Sequence, residues 1–210
     1  MKKLNIRPQW FKDMIEISHR LRRGGLTSGA GGGISLSVPG EEVVLIKGWE
    51  VASEDVTQED IAVVDPNGQP LNSVKPCLET PLHLEVLKTR KDIKAVIHAH
   101  PPYATAFGNI QPGLNEAALK NYPFLKMAVF TPYAEPGSIE LAEIVARPFQ
   151  NKDILCVLME DHGVTVGGTD IFDAYYRLDM LEGMAKSFVL TLLLRRGLAA
   201  FESLLKGSVG

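Results

Sequence analysis

A chain of 210 residues, 45% apolar and 22% charged, has the length of one domain and the composition of a globular protein rather than a disordered one. At this size ~70% of the unfolded surface can be buried, so folding needs neither disulfides nor a structural metal. The only two cysteines, Cys77 and Cys156, exclude a disulfide-built scaffold, and a formal net charge of −3 leaves no basic footprint for a general nucleic-acid binder.

The first residues, Met1-Lys2-Lys3-Leu4-Asn5-Ile6-Arg7, carry charge with no apolar run behind them, unlike a signal peptide. Pro8 to Arg23 reads as a helix, with Trp10, Phe11, Met14, Ile15 and Leu21 at helical spacing and Gly24-Gly25 as the stop. A glycine-rich loop, Gly29-Ala30-Gly31-Gly32-Gly33, precedes three short strand-like runs at Ile34–Val38, Val43–Ile46 and Ile61–Val64. The turn Asp65-Pro66-Asn67-Gly68 predicts a hairpin to a further extended piece. Thr80 reads as an N-cap with Pro81 at the first helical position, opening a helix to Lys88. Strands are expected at Lys94–Ala99, Met127–Thr131 and Ile154–Met159. Ser138 caps a helix to about Phe149, and a long helix runs from Asp170 to Arg196, bounded by Gly197 and followed by a short amphipathic tail. Its most apolar stretch, Phe188–Leu194, is too short to span a bilayer. Early hairpins followed by alternating strands and helices predict one α/β domain over residues 1–210, a mostly antiparallel sheet flanked by helices. The expectation is a cytoplasmic protein with no membrane or nucleic-acid partner.

Chemistry concentrates at strand ends. In Val96-Ile97-His98-Ala99-His100-Pro101 the two histidines stand two residues apart, on one face of a strand, where they can grip one metal ion or end a buried strand as polar residues. His162 follows the apolar run Ile154–Met159 in the same way and precedes Gly163. Three histidines with an open fourth position match a catalytic zinc-type site. His19 and His83 lie inside helical patterns and read as packing or helix-surface residues. Glu79 stands before a helix N-terminus, as a surface carboxylate or as a general base. The glycine run follows a helix rather than a strand and lacks the last glycine of a dinucleotide fingerprint, leaving an anion-cupping loop or a flexible connection.

Three stretches taken in order, Lys75-Pro76-Cys77-Leu78-Glu79-Thr80-Pro81-Leu82-His83, Ala95 to Ala106 with its His98-Ala99-His100, and Asp161-His162-Gly163, resemble the class II aldolase/adducin-head family. The resemblance implies a three-layer α/β/α fold and one divalent ion per chain, Zn2+ foremost with Mn2+, Co2+ or Fe2+ as alternatives. His98, His100 and His162 would hold it, with Glu79 as catalytic carboxylate and further metal ligand. It further implies a homotetramer and reversible cleavage of an L-fuculose-1-phosphate-like ketose phosphate to dihydroxyacetone phosphate and an aldehyde. Glu79 would shuttle the proton at the enediolate carbon. Glutamate at 79, and a C-terminus without histidine or tyrosine, favour an aldolase over the family's sugar-phosphate 4-epimerases, which stay an alternative. Departures open the substrate question. Where the family binds phosphate, this chain has Gly32-Gly33, Lys47-Gly48 and Cys77-Leu78, replacing an amide and hydroxyls, and Glu116 aligns with a tyrosine proton donor. Lys47 could meet a phosphate or a carboxylate. Decarboxylation or dehydration of a small hydroxy acid or sugar on the same metal scaffold is therefore an alternative, as is a non-catalytic adducin-like module.

Overall fold

The sheet takes its order from which strands can bury both faces. In the computed structural model, which describes residues 4–110 and 127–207, seven strands form one sheet: β1 Gly33–Ser37, β2 Val44–Lys47, β3 Ile61–Val64, β4 Ala95–Ala99, β5 Ala128–Thr131, β6 Cys156–Met159 and β7 Gly163–Gly168. Their order is β3-β2-β1-β4-β7-β6-β5. Every pairing is antiparallel except β5 with β6, as the mostly antiparallel reading expected. The two central strands, β4 and β7, are buried along their whole length, as strands covered on both faces must be.

Alternation along the strands sorts side chains into two cores. Ile34, Leu36, Leu45, Ile97 and Val166 face helices α1 (Pro8–Arg23), α3 (Pro102–Ile110) and α5 (Ile171–Gly207), which bury Met14, Ile17, Leu21, Phe107, Leu178 and Leu181 against them. Val44, Ile46, Ala62, Val96 and Val157 face α2 (Thr80–Thr89) and α4 (Ile139–Ala146), with Val86, Leu141 and Val145. The result is three layers, helices on both faces of a sheet.

Several expectations shift. Two elements were missed. Strand β7 reads Gly-Val-Thr-Val-Gly-Gly, and its glycines answer to packing: a Cβ at Gly167 would stand 2.5 Å from Ile93 Cδ1. Helix α3 is capped from a distance: the Glu182 carboxylate on α5 accepts from the Tyr103 and Ala104 N–H groups at 3.0 and 2.7 Å. The N-cap of α2 is Glu79 rather than Thr80, whose hydroxyl instead donates to the Cys77 carbonyl at 2.6 Å. The Asp65–Gly68 turn forms, but beyond it only an isolated bridge joins Val64 to Pro70, because Pro70 cannot donate to a ladder. Ser138 does cap α4, accepting from Leu141 N at 3.0 Å, and a 3-10 turn over Arg147–Gln150 carries the run past Phe149. Helix α5 continues through Gly197 to Gly207 instead of ending there. No described helix is long and apolar enough to cross a membrane.

Candidate metal centre and active-site cavity

His98 is the fourth residue of β4 and His100 the first beyond it, so period two brings both imidazoles to one side, ring centroids 4.7 Å apart and nearly perpendicular. His162 comes from the tight β6–β7 connection. There Met159 pairs with Gly163, the His162 N–H donates to the Met159 carbonyl at 3.3 Å, and Asp161 takes a left-handed φ of 49°. The Asn109 side chain of α3 accepts from the Asp161 N–H at 3.0 Å and holds that corner. The His162 ring lies 4.9 Å from His98 and 5.5 Å from His100, and the ligand atoms of all three lie within 4.8 Å of one another.

The chemistry of the donor set suits a metal ion. Burial is the main cause holding His98 well below its ordinary value, with the neighbouring His100 and His162 adding to it. Burial also lowers His100, and with help from His100 it brings His162 down to about 4. All three are neutral near pH 7 and offer lone pairs rather than protons. In neutral His98, Nδ1 lies 3.1 Å from the Val164 carbonyl, which can only accept, so Nδ1 carries the hydrogen. The lone pair is then on Nε2, which is buried and has no hydrogen-bond partner, as has Nδ1 of His162. A buried lone pair on His98 Nε2 without a partner, in a cluster whose three rings each bring one ligand atom within 4.8 Å of the others, is what a cation satisfies.

Glu79 faces this cluster from the start of α2. It is 7% exposed, and Oε1 accepts from the Gly137 N–H at 3.1 Å and lies 3.7 Å from His162 Nε2. With His162 neutral, that contact is not an ion pair. Oε2 is buried without a partner. Burial raises the carboxyl above its ordinary range, and the Gly137 N–H opposes the rise. Glu79 is thus a better proton acceptor than a free carboxylate, the direction of change that suits a general acid/base.

A cavity of about 360 Å³ opens over the cluster, and Gly32, Gly48, Cys77, Leu78, Glu79, His98, His100 and His162 all line it. Gly33 and Lys47 stand behind this wall; both are buried, and Lys47 Nζ donates to the carbonyls of Ala30 and Val51. Gly32 has a φ of 78°, and a Cβ there would stand 2.7 Å from the His98 carbonyl, so the glycine run is shaped by its approach to β4. Glu116 lies outside the described residues. Sequence reading missed Trp49, Glu50 and Pro136, which also line the cavity. The Glu50 backbone at φ 55° leaves no mark that periodicity could detect. His83, read as a packing residue, is fully buried beneath the site with Nδ1 2.8 Å from Ser35 Oγ, and His19 Nε2 lies 3.2 Å from the Val56 carbonyl.

Residues 12–189 match the family described as Class II Aldolase and Adducin N-terminal domain. The chain belongs to that family. An L-fuculose phosphate aldolase of Methanocaldococcus jannaschii is 31% identical over 185 residues, which is 88% of this chain and 98% of that one. A 3-oxo-tetronate 4-phosphate decarboxylase of Haemophilus influenzae is 31% identical over 183 residues, covering 83% of this chain and 84% of the relative. A solved L-fuculose 1-phosphate aldolase superposes with a TM-score of 0.80 at 25% identity, covering 90% of this chain and 89% of that one. Class II aldolases are metal-dependent, and the aldolases and decarboxylases among the relatives are lyases. This family member is accordingly a lyase, which sets the adducin-like module aside.

Proposed function

We propose that this lyase cleaves a carbon–carbon bond in a small ketose phosphate of the L-fuculose 1-phosphate type, at a zinc ion held by His98, His100 and His162. What carries this reading is one juxtaposition: three neutral imidazoles converge beside a buried carboxylate, Glu79, with an unpartnered oxygen in the same cavity. The relatives named L-fuculose phosphate aldolase support the substrate class.

A bound divalent ion supplies Lewis-acid polarisation of a carbonyl and its neighbouring hydroxyl, stabilising the charge that cleavage develops. The protein's own residues do the rest. His98, locked by Val164, fixes the direction of one ligand lone pair. Glu79 moves the proton at the carbon that loses its bond, from Oε2, while Gly137 keeps Oε1 in place. The backbone at Gly31, Gly32 and Gly48 walls part of the cavity; the Gly31 and Gly48 N–H groups donate to the Ser28 and Asp60 carbonyls at 3.1 and 2.8 Å, so these two residues shape the wall rather than bind an anionic substituent. Leu78, half exposed, adds an apolar side chain to the lining.

A second reading rests on the decarboxylase relative at the same 31% identity. Decarboxylation of a 3-oxo acid also breaks a carbon–carbon bond and leaves an electron pair beside a carbonyl, so the same site serves both reactions. A screen of ketose 1-phosphates and 3-oxo acid phosphates, read as dihydroxyacetone phosphate or as carbon dioxide, separates them. Dihydroxyacetone phosphate from a ketose 1-phosphate supports the aldolase, carbon dioxide the decarboxylase, and neither product refutes both.

The same reading includes a cytoplasmic homotetramer. Leu193, Leu194 and Leu198 on α5 are each at least 60% exposed, an apolar stripe suited to a second copy. Light scattering that finds an active monomer would contradict it.

A further inference from the structure

Lys47 is among the largest side chains buried at 1% exposure, yet it neither lines the cavity nor pairs with a carboxylate among the described residues. An ammonium in such a place is costly to desolvate, and burial lowers its pKa accordingly. Its partners explain what keeps it there. Nζ donates to the Ala30 carbonyl at 3.1 Å and to the Val51 carbonyl at 2.6 Å. Ala30 belongs to the glycine-rich loop that lines the cavity, and Val51 follows the Trp49–Glu50 corner that lines it too. The carbonyl of Lys47 itself accepts from the Cys77 N–H at 3.0 Å, which secures a third segment of the wall.

The glycine-rich loop meets the sheet at Gly33, the first residue of β1, and the other segment is tied at Trp49, whose N–H donates to the Lys75 carbonyl at 2.8 Å; between these points and the rest of the fold neither loop belongs to a strand. The glycine-rich loop carries left-handed φ values at Gly29 and Gly32, and the other corner carries one at Glu50, a conformation that costs free energy in a residue with a Cβ. Apart from the two Lys47 bonds, one further bond joins these loops, Ser53 N–H to the Gly29 carbonyl at 3.3 Å. We infer that Lys47 is a positioning residue: its side chain clamps together two adjacent loops that both line the cavity and acts on substrate only through them. The inference rests on the reading of this cavity as the substrate site.

Hydrogen–deuterium exchange on the full chain tests the clamp with no substrate present, so a failure to find lyase activity leaves it readable. Lys47→Met keeps the aliphatic stem and removes the donors. Amides of residues 29–32 and 50–53 should then exchange about tenfold faster while those of β4 and the first half of α5 keep their wild-type rates. Lys47→Gln restores two N–H donors on a shorter stem and should recover roughly half of the lost protection. On the substrate identified for the wild type, Lys47→Met should raise KM about tenfold with kcat within about threefold and metal content unchanged. Wild-type exchange in both loops of Lys47→Met overturns the clamp. A loss of protection spread evenly over the sheet also overturns it, because that is the mark of general destabilisation. Should Lys47→Met fail to fold, Lys47→Gln decides alone: faster exchange confined to the two loops supports the clamp, and a wild-type or uniform pattern overturns it.

Discussion

Gly163 offers a steric test of how the histidine cluster is built. It pairs with Met159 at the start of β7 and follows directly after His162. A Cβ at this position would stand 2.5 Å from the Ala99 carbonyl oxygen and 2.7 Å from Cδ2 of His100. Ordinary contact begins near 3.4 Å, so Gly163→Ala is short of room by about 0.9 Å against backbone and about 0.7 Å against the imidazole. The Ala99 carbonyl is part of the central ladder between β4 and β7 and cannot retreat without lengthening it. Forced overpacking of this kind costs ~2 kcal/mol, a fall in Tm of roughly 4–8 °C for a chain of this size. The imidazole must also turn or shift, and a displaced ligand lowers metal affinity by about 10–100-fold. Competition with a metallochromic chelator measures the affinity, and calorimetry the Tm. Wild-type zinc affinity together with wild-type Tm would refute the close approach of β7 to His100.

Glu79→Gln should retain the metal and lose about 10²–10⁴-fold in turnover on the identified substrate, because the amide cannot exchange a proton; near wild-type turnover would remove Glu79 from the mechanism. Glu182→Gln weakens the carboxylate cap of α3 and should destabilise by ~1 kcal/mol, read as a lower midpoint in urea, with an unchanged midpoint counting against the capping role. Acid should destabilise through His83, which burial holds down to about 3 in the folded chain against 6.5 when free. The unfolded chain binds the extra proton between those values, so the contribution is complete above pH 6.5 and is lost as pH falls toward 3, by at most about 1.4 kcal/mol per pH unit. Chemical denaturation from about pH 7 to about pH 4.5 should show this decline, and a flat profile would contradict the buried neutral imidazole.

What the sequence revealed, and what it withheld, follows the range of the interactions involved. The His98–His100 pair and His162 were legible because period two and strand ends are local properties, and all three converge. The hydrophobic runs of β4 and β6 were legible for the same reason. Strand β7 was not, since its glycines record contacts with Ile93, Ala99 and His100, residues 60 or more positions away. Helix α3 was hidden because its cap comes from Glu182, far along the chain. Gly197 reads as a stop, yet α5 runs through it, a case of neighbouring good helix formers outweighing one glycine. Lys47 was read, through the family resemblance, as a cation for a phosphate or a carboxylate; that its side chain is instead directed at two carbonyls depends on where two loops fold back. The Glu79 carboxylate was found by its place before a helix, whereas its bond to Gly137 required the fold.

The central claim, a metal centre built on three histidines, is tested most directly by the metal content of the purified protein and its variants, determined by elemental mass spectrometry. Wild type should carry about one divalent ion per chain, and His98→Ala and His162→Ala should each lose it while keeping a cooperative melt. Full metal occupancy in both variants would contradict the assigned ligand set.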